Sequence, residues 1–326
     1  MSPVHPGEQA VQRRAGEGGP GWGSPMFGAE IGPFADFLRH QRLVALSGAD
    51  ADGNLWCTVL TGDEGFVDSR DHRTIIIDAL PPVGDPLRDA FTEPADFGMV
   101  ALSPQTLRRV KVAGTAHRDG DRLVLRTEQV LGNCPKYLQL RTIVDEIPPP
   151  EAPRVTVGRT LTAPQQTIVR SADTFFIGTR APGHGADANH RGGQPGFVTV
   201  LDERTITWPD YVGNSFFMSL GNMQLDARTG IVFLDWETGS TLQLSGTGRI
   251  NWDPDRASRF PGARRMIELT VAQVVEIERA SALRWQLHAY SRFNPPAPTD
   301  TAPEFGLWFE PEMISLDSEL AERDLD

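Results

Sequence analysis

The sequence predicts a mainly β fold of the β+α kind: two tandem copies of one small barrel, with short helices around them. Three observations predict it. The chain has 326 residues with 32 Gly and 26 Pro, which suits two turn-rich domains of ordinary size. A long stretch of it repeats in register at a spacing of 131 to 132 residues. Each copy is a series of short apolar runs with glycine at the corners, the pattern of a small barrel more than of an open sheet.

The repeat is read directly. Gly62, Gly65, Phe66, Val67, Asp71, Arg73, Thr74 and Ile75 recur as Gly193, Gly196, Phe197, Val198, Asp202, Arg204, Thr205 and Ile206. One inserted residue later, Gly98, Val100, Leu102, Thr106, Gly114 and Thr115 recur as Gly230, Val232, Leu234, Thr238, Gly246 and Thr247. The spacing is far longer than a solenoid repeat, so the expectation is a duplicated domain.

Taken in order, the elements are these. Residues 1–28 are a Gly-rich arm, expected to be loosely ordered. The first barrel is expected over 29–147. LVALSGADADGNLWCTVL is two apolar runs around Asp52-Gly53, and TIII, MVAL and RRVKVAGTAHR follow as strands, the last with Val110 and Val112 on one face. GNCPKYLQLRTIV reads as a helix, with Asn133 as cap and Pro135 in the first turn. The Pro-rich spacer EIPPPEAP begins at Glu146 and marks the boundary, and the linker 148–172 continues into a short helix at TAPQQTIVRSA. The second barrel, 173–293, carries TFFIGT, GFVTVL, TITW, GIVFLDW, TLQLSGTGRI and the late strand RRMIELTVAQVVEIE. An acidic tail occupies 294–326.

Charge narrows the partners. The net charge is -12, with no Lys/Arg cluster along the chain, so nucleic acid is not expected and an anionic small ligand must be held by local donors. Two cysteines, no apolar leader and no apolar run of membrane-spanning length suggest a cytoplasmic chain with no membrane partner. The seven histidines show no paired ligand spacing, so no metal is expected.

The copies diverge after their shared TI. The first continues IIDALPPVGDPLRDAFTEPADF, the second TWPDYVGNSFFMSLGNMQLDART. From Tyr211 to Leu225 the second has no charged side chain. A helix over this run would put Phe216, Phe217, Leu220 and Met223 on one face, with Asn214 as its cap and its first N–H groups free for an anion. Arg191 offers a guanidinium fork to a phosphate, and Gly192 and Gly193 allow close backbone approach. Trp208 beside Asp210 could line a planar heterocycle, the carboxylate taking a ring N–H.

HRGGQPGFV, RTITWPDYVGN, SLGN, GIVFLDWETG and LQLSGTG together resemble the pyridoxamine 5'-phosphate oxidase-related proteins with the FMN-binding split β-barrel. NCPKYLQ is similar to a signature of one bacterial branch of them. The resemblance covers roughly residues 30 to 290. It implies two tandem FMN-binding split barrels, with FMN in the groove between barrels that pair within the chain or in a homodimer. It also places flavin contacts at Asn189, His190, Arg191, Gly192, Trp208, Pro209, Asp210, Tyr211, Asn214, Ser215, Ser219 and Asn222. Lys136, with Cys134 and Tyr137, would border the flavin from the other barrel. Where relatives carry a basic Ser-Arg-Lys stretch, this chain has Gly213-Asn214-Ser215, and the first copy lacks these elements, so its cofactor site is expected to be degenerate. The implied activity is FMN-dependent oxidation or reduction of a small organic substrate; the alternative is a non-catalytic split barrel that binds flavin, haem or a related ligand.

Overall fold

The computed structural model describes residues 4–19, 21–23 and 28–297. Helices α1 (Pro6–Ala15) and α2 (Ala35–Arg39) precede the first sheet. Its strands are β1 (Leu43–Ala49), β2 (Leu55–Thr61), β3 (Val67–Asp71), β4 (Thr74–Ile77), β5 (Ala95–Ser103), β6 (Arg108–Asp119) and β7 (Arg122–Asn133). After β8 (Leu140–Glu146), β9 (Val155–Gly158) and α3 (Ala163–Ser171) comes the second set: β10 (Thr174–Ala181), β11 (Gly185–Gly192), β12 (Thr199–Asp202), β13 (Thr205–Tyr211), α4 (Met218–Leu225), β14 (Arg228–Leu234), β15 (Thr241–Asn251), α5 (Pro254–Ser258), β16 (Ala263–Ile277) and β17 (Leu283–Ala289).

The two sheets have the same strand order. The first runs β2-β1-β5-β6-β7-β4-β3, and the second β11-β10-β14-β15-β16-β13-β12. All pairs are antiparallel.

The recurring residues have matching physical jobs. Gly65 and Gly196 have φ of 93° and 90°, where L side chains are strained. A Cβ on Gly62 or Gly193 would strike the ring of Phe66 or Phe197. Asp71 and Asp202 each accept the backbone N–H two residues on, at 2.7 Å, closing the hairpins to β4 and β13. Gly114 and Gly246 sit at register shifts in the β6–β7 and β15–β16 ladders, where a Cβ would meet a carbonyl oxygen of the facing strand.

The central strands are buried on both faces. Val44 and Leu46 of β1 enter the first core while Leu43 and Ala45 enter a third cluster. Phe175 and Ile177 of β10 enter the second core while Phe176 joins that third cluster. The third cluster is the seam between the sheets, so the halves pack on each other within one chain. Close approach is achieved with glycine. A Cβ on Gly98 would lie 2.4 Å from backbone of β11, and one on Gly230 would lie 2.5 Å from backbone of β2. Ser47 pairs with Cys57 and Gly98, and Gly178 pairs with Ala188 and Gly230. Ser47 and Gly178 are therefore counterparts, and they touch: a Cβ on Gly178 would sit 2.6 Å from that of Ser47. They mark a pseudo-twofold axis.

Three expectations need correction. The arm is not loose at its start: Pro6–Ala15 is helical, with His5 at the cap and Glu8 completing a capping box. It packs on α4 so closely that a Cβ on Gly7 would sit 2.1 Å from the Gly221 carbonyl oxygen. Cys134–Tyr137 is a turn rather than a helix start, because Tyr137 lies at φ 66° and Gln139 Nε2 ties the turn to the Tyr137, Asp173 and Gly193 carbonyls. The 148–172 spacer contains β9, which extends the second sheet along β16, and β8 pairs with β17, so both presumed domain ends are interleaved. The helix at 163–171 is present, capped by Thr162 and Gln165. The tail beyond residue 297 lies outside the described residues. No described helix is long and apolar enough to cross a membrane.

Candidate functional site

A cleft lies where the two sheets meet, and both halves line it. Strand β6 alternates: Val110 and Val112 enter the first core, so Arg109 and Lys111 project from the other face, toward β11. The turn after β7 adds Cys134, Lys136 and Tyr137. From the second half come Asn189, His190, Arg191 and Gly192 of β11, Pro209, Asp210 and Tyr211 of β13, residues 213–220, and Arg265 of β16. The arm contributes Glu17. Five cationic side chains and two carboxylates therefore line one cleft of an acidic chain.

The buried end is a fixed network. Lys111, 3% exposed, places Nζ 2.5 Å from Asp187 Oδ1. Ser219 donates its hydroxyl to Asp187 Oδ2 at 2.9 Å, and Asn189 accepts the His190 N–H on Oδ1 at 3.0 Å. This ties β6, β11 and α4 together. Replacing one member of such a pair strands the other charge in the interior.

His190 is 3% exposed. Burial, reinforced by the guanidiniums of Arg109, Arg191 and Arg141, holds its imidazole well below its ordinary pKa, so it is neutral at pH 7. Arg109 Nη1 lies 3.2 Å from Nδ1. Guanidinium can only donate, so Nδ1 is the acceptor and the ring proton resides on Nε2. Burial also lowers Arg109 to about 10, with Arg191 adding to the shift, and lowers Arg191; both stay cationic at neutral pH. Neither has a carboxylate within ion-pair distance among the described residues. That is an arrangement for an anion.

On the arm side of the cleft, Arg265 lies between Asp210 Oδ2, 3.2 Å from Nε, and Glu17 Oε1, 2.7 Å from Nη2. Tyr137 donates to the Val212 carbonyl at 2.9 Å and its ring meets Tyr211 at 5.3 Å, a pair of aromatic faces from opposite halves. Burial raises both phenols.

The structure brings Lys136, Asn189, His190, Arg191, Gly192, Pro209, Asp210, Tyr211, Asn214, Ser215 and Ser219 to this cleft, with Lys136 Nζ turned over the Phe293 ring at 5.8 Å. It does not bring Trp208 or Asn222. Trp208 is fully buried, edge-on to Phe175, because period-two alternation puts it on the core face of β13 with Ile206. Asn222 faces α1: its amide donates to Thr179 Oγ1 at 3.0 Å and its oxygen takes the His5 Nε2 proton at 2.9 Å. Asn214 is not the helix cap. The cap is Phe217, at φ 57° with no side-chain bond, and Asn214 Oδ1 instead accepts from Phe216 N at 3.1 Å.

Arg109, Lys111, Arg265 and Glu17 were not foreseen as site residues. The alternation of RRVKV already put two cations opposite the apolar face, and His5-Pro6-x-Glu8 is a capping-box pattern that announces α1.

No protein-family model and no curated protein matches the chain. Solved structures resemble parts of it. One is a putative pyridoxamine 5'-phosphate oxidase from Lactobacillus delbrueckii, 16% identical, covering 36% of this chain and 98% of its own, TM-score 0.29. Another is the haem storage protein HutZ from Vibrio cholerae, 8% identical, covering 36% and 94%, TM-score 0.28. A third is an FMN-binding protein from Syntrophomonas wolfei, 9% identical, covering 34% and 81%, TM-score 0.27.

Proposed function

We propose that the protein is a split-barrel flavoprotein that holds FMN in the cleft between its two sheets and acts on a small organic substrate. The observation that carries the reading is the pair Arg109 and Arg191: part-buried guanidiniums with no carboxylate in ion-pair contact among the described residues, Asp210 and Asp187 reaching Arg191 only at longer range, set around a neutral His190. Cations left so need an anion, and a phosphorylated cofactor brings one. Arg265, whose Nη1 is buried without a hydrogen bond, fits the same group.

Arg191, Arg265 and the Asn214–Ser215 turn would hold the phosphate. Tyr137 and Tyr211 would border the ring system. The His190 Nε2–H would donate to a carbonyl oxygen or ring nitrogen; a depressed pKa makes this imidazole a fixed donor rather than a proton source at neutral pH. Lys111, Asp187 and Ser219 keep β11 and α4 in place and keep water from the inner wall. Bound FMN would supply two-electron transfer, and the chain supplies binding and orientation. The reading includes a cytoplasmic protein whose halves make one cleft per chain.

Titration of the full chain with FMN, followed by flavin fluorescence, tests this. Saturable quenching that is weakened in Arg191→Leu is expected, then anaerobic reduction of the bound flavin and turnover with an acceptor. A colourless protein that takes up no FMN overturns the reading. Binding without turnover across a broad substrate panel supports the non-catalytic alternative, as would haem uptake in place of flavin.

A further inference from the structure

The arm touches the cleft with a carboxylate. Glu17 Oε2 accepts the Ser215 hydroxyl at 2.7 Å, and Oε1 accepts Arg265 Nη2 at 2.7 Å. A hydroxyl and a guanidinium converging on two oxygens of one anion is the donor set that a phosphoryl group uses. Arg265 is 3% exposed, its guanidinium lies over the Phe217 and Trp252 rings at 4.9 and 5.0 Å, and Asp210 faces its Nε edge, which leaves Nη2 to Glu17.

The rest of the arm straps the same segment. Gln12 Nε2 donates to the Ser215 carbonyl at 3.2 Å, Trp22 Nε1 to the Asn214 carbonyl at 2.9 Å, and His5 bonds Asn222. Glu17 itself sits between Gly16 and Gly18, at φ 65° and 76°. Two left-handed glycines make a compact hinge on either side of it. Its side chain is 29% exposed, so it can leave without opening the core.

We propose that Glu17 is a specificity-determining residue: it occupies Ser215 and Arg265 in place of a ligand's anionic group, so that a phosphorylated ligand must displace it while an unphosphorylated one need not. For flavins this rests on the reading above; for inorganic phosphate it stands alone. Two like charges cannot share one hydroxyl and one guanidinium without strong repulsion. The cleft therefore discriminates by phosphate through its own chain.

The test compares the wild-type chain with Glu17→Gln, Glu17→Ala and Glu17→Gln/Ser215→Ala, using calorimetric titration with inorganic phosphate, FMN and riboflavin. Glu17→Gln is expected to tighten phosphate and FMN by about 10-fold or more, the scale of one charge-assisted contact, and to leave riboflavin nearly unchanged. Adding Ser215→Ala should remove part of that gain. In the wild-type chain, FMN should speed tryptic cutting at Arg13 and Arg14 as the arm lifts. An unchanged phosphate affinity and FMN-to-riboflavin ratio in both single variants, or protection of the arm by FMN, overturns the proposal. A gain for phosphate with no binding of either flavin would keep this inference and remove the flavin reading; flavin binding with an unmoved ratio would do the reverse.

Discussion

The cleft has a counterpart across the pseudo-twofold axis, and the two are chemically opposite. Register makes Val59 and Leu60 of β2 the counterparts of His190 and Arg191, since both follow from the Ala45↔Val59 and Phe176↔His190 pairings. Likewise Thr241 and Gln243 of β15 stand where Arg109 and Lys111 stand on β6. In place of the arm-covered turn and α4, the first half has a segment that plugs the groove with Leu87 and Phe91 and inserts Asp85. Asp85 accepts from Thr58 Oγ1 at 2.5 Å, Leu87 N at 2.8 Å and Gln243 Nε2 at 2.9 Å. The backbone delivers the same positions twice. Side chains make one groove a cationic cleft and the other a closed polar knot.

The largest expected effect breaks the buried charges of the open cleft. Lys111→Met removes the partner of Asp187 and should cost about 3–5 kcal/mol of stability. Its counterpart change, Gln243→Leu, leaves Asp85 with two other donors and should cost about 1–3 kcal/mol. Urea melts of both variants measure the difference. Equal losses would mean that Lys111 and Asp187 are no more than a polar contact.

The next converts one cleft toward the other. Arg109→Thr with Arg191→Leu gives the open cleft the residues of the plugged groove, Thr241 and Leu60. Affinity for FMN should fall about 100-fold, near 3 kcal/mol, while the melting temperature holds or rises, because two desolvated cations are gone. A melting temperature that falls with unchanged affinity would make these arginines structural.

These residues also show what a sequence discloses. The likeness of the two halves and their corners were legible, because Gly65, Gly196, Gly114 and Gly246 are dictated by backbone conformation and close approach, which act locally and recur wherever the fold does. The β11 and Ser215 side of the site was legible through its motif. The cationic cluster was not, since Arg109, Lys111, Arg191 and Arg265 come from three strands far apart in sequence and meet only after the sheets pack. Trp208 was misplaced because an aromatic beside a carboxylate has the same look on either face of a strand; register alone decides. Glu17 lies in a Gly-rich stretch whose order depends on tertiary contact with α4.

On the axis itself the halves are not interchangeable. Gly178→Ser would copy Ser47 into a space where a Cβ already falls 2.6 Å from the Ser47 Cβ, and should cost about 1–3 kcal/mol. Ser47→Gly removes a hydroxyl that donates to the Asp187 carbonyl at 3.0 Å and should cost about 1 kcal/mol. Thermal melts rank the two, and the opposite ranking would place the tight contact elsewhere along the seam.

The smallest effect is carried by pH, and Asp85 and His190 contribute to it with opposite sign. Burial raises Asp85 from 3.8 to about 6, against the pull of its three hydrogen bonds. A carboxyl raised on folding adds stability that is fully present below 3.8 and is lost as pH rises through about 6, so acidification from pH 7 to pH 5 should tighten the plugged groove by about 1 kcal/mol. His190 is shifted the other way, well below 6.5. A buried neutral imidazole adds stability above 6.5, where the unfolded chain is also neutral, and that stability is lost as pH falls below it and the unfolded chain gains a proton the folded one refuses. Amide exchange at pH 7 and pH 5, corrected for intrinsic rates, should therefore show β2 and the Asp85 segment gaining protection while β11 loses it. Asp85→Asn should abolish the first change and leave the second. Parallel changes in both grooves would trace the pH response to charges they share, and would remove the distinction between a knot that wants a proton and a cleft that excludes one.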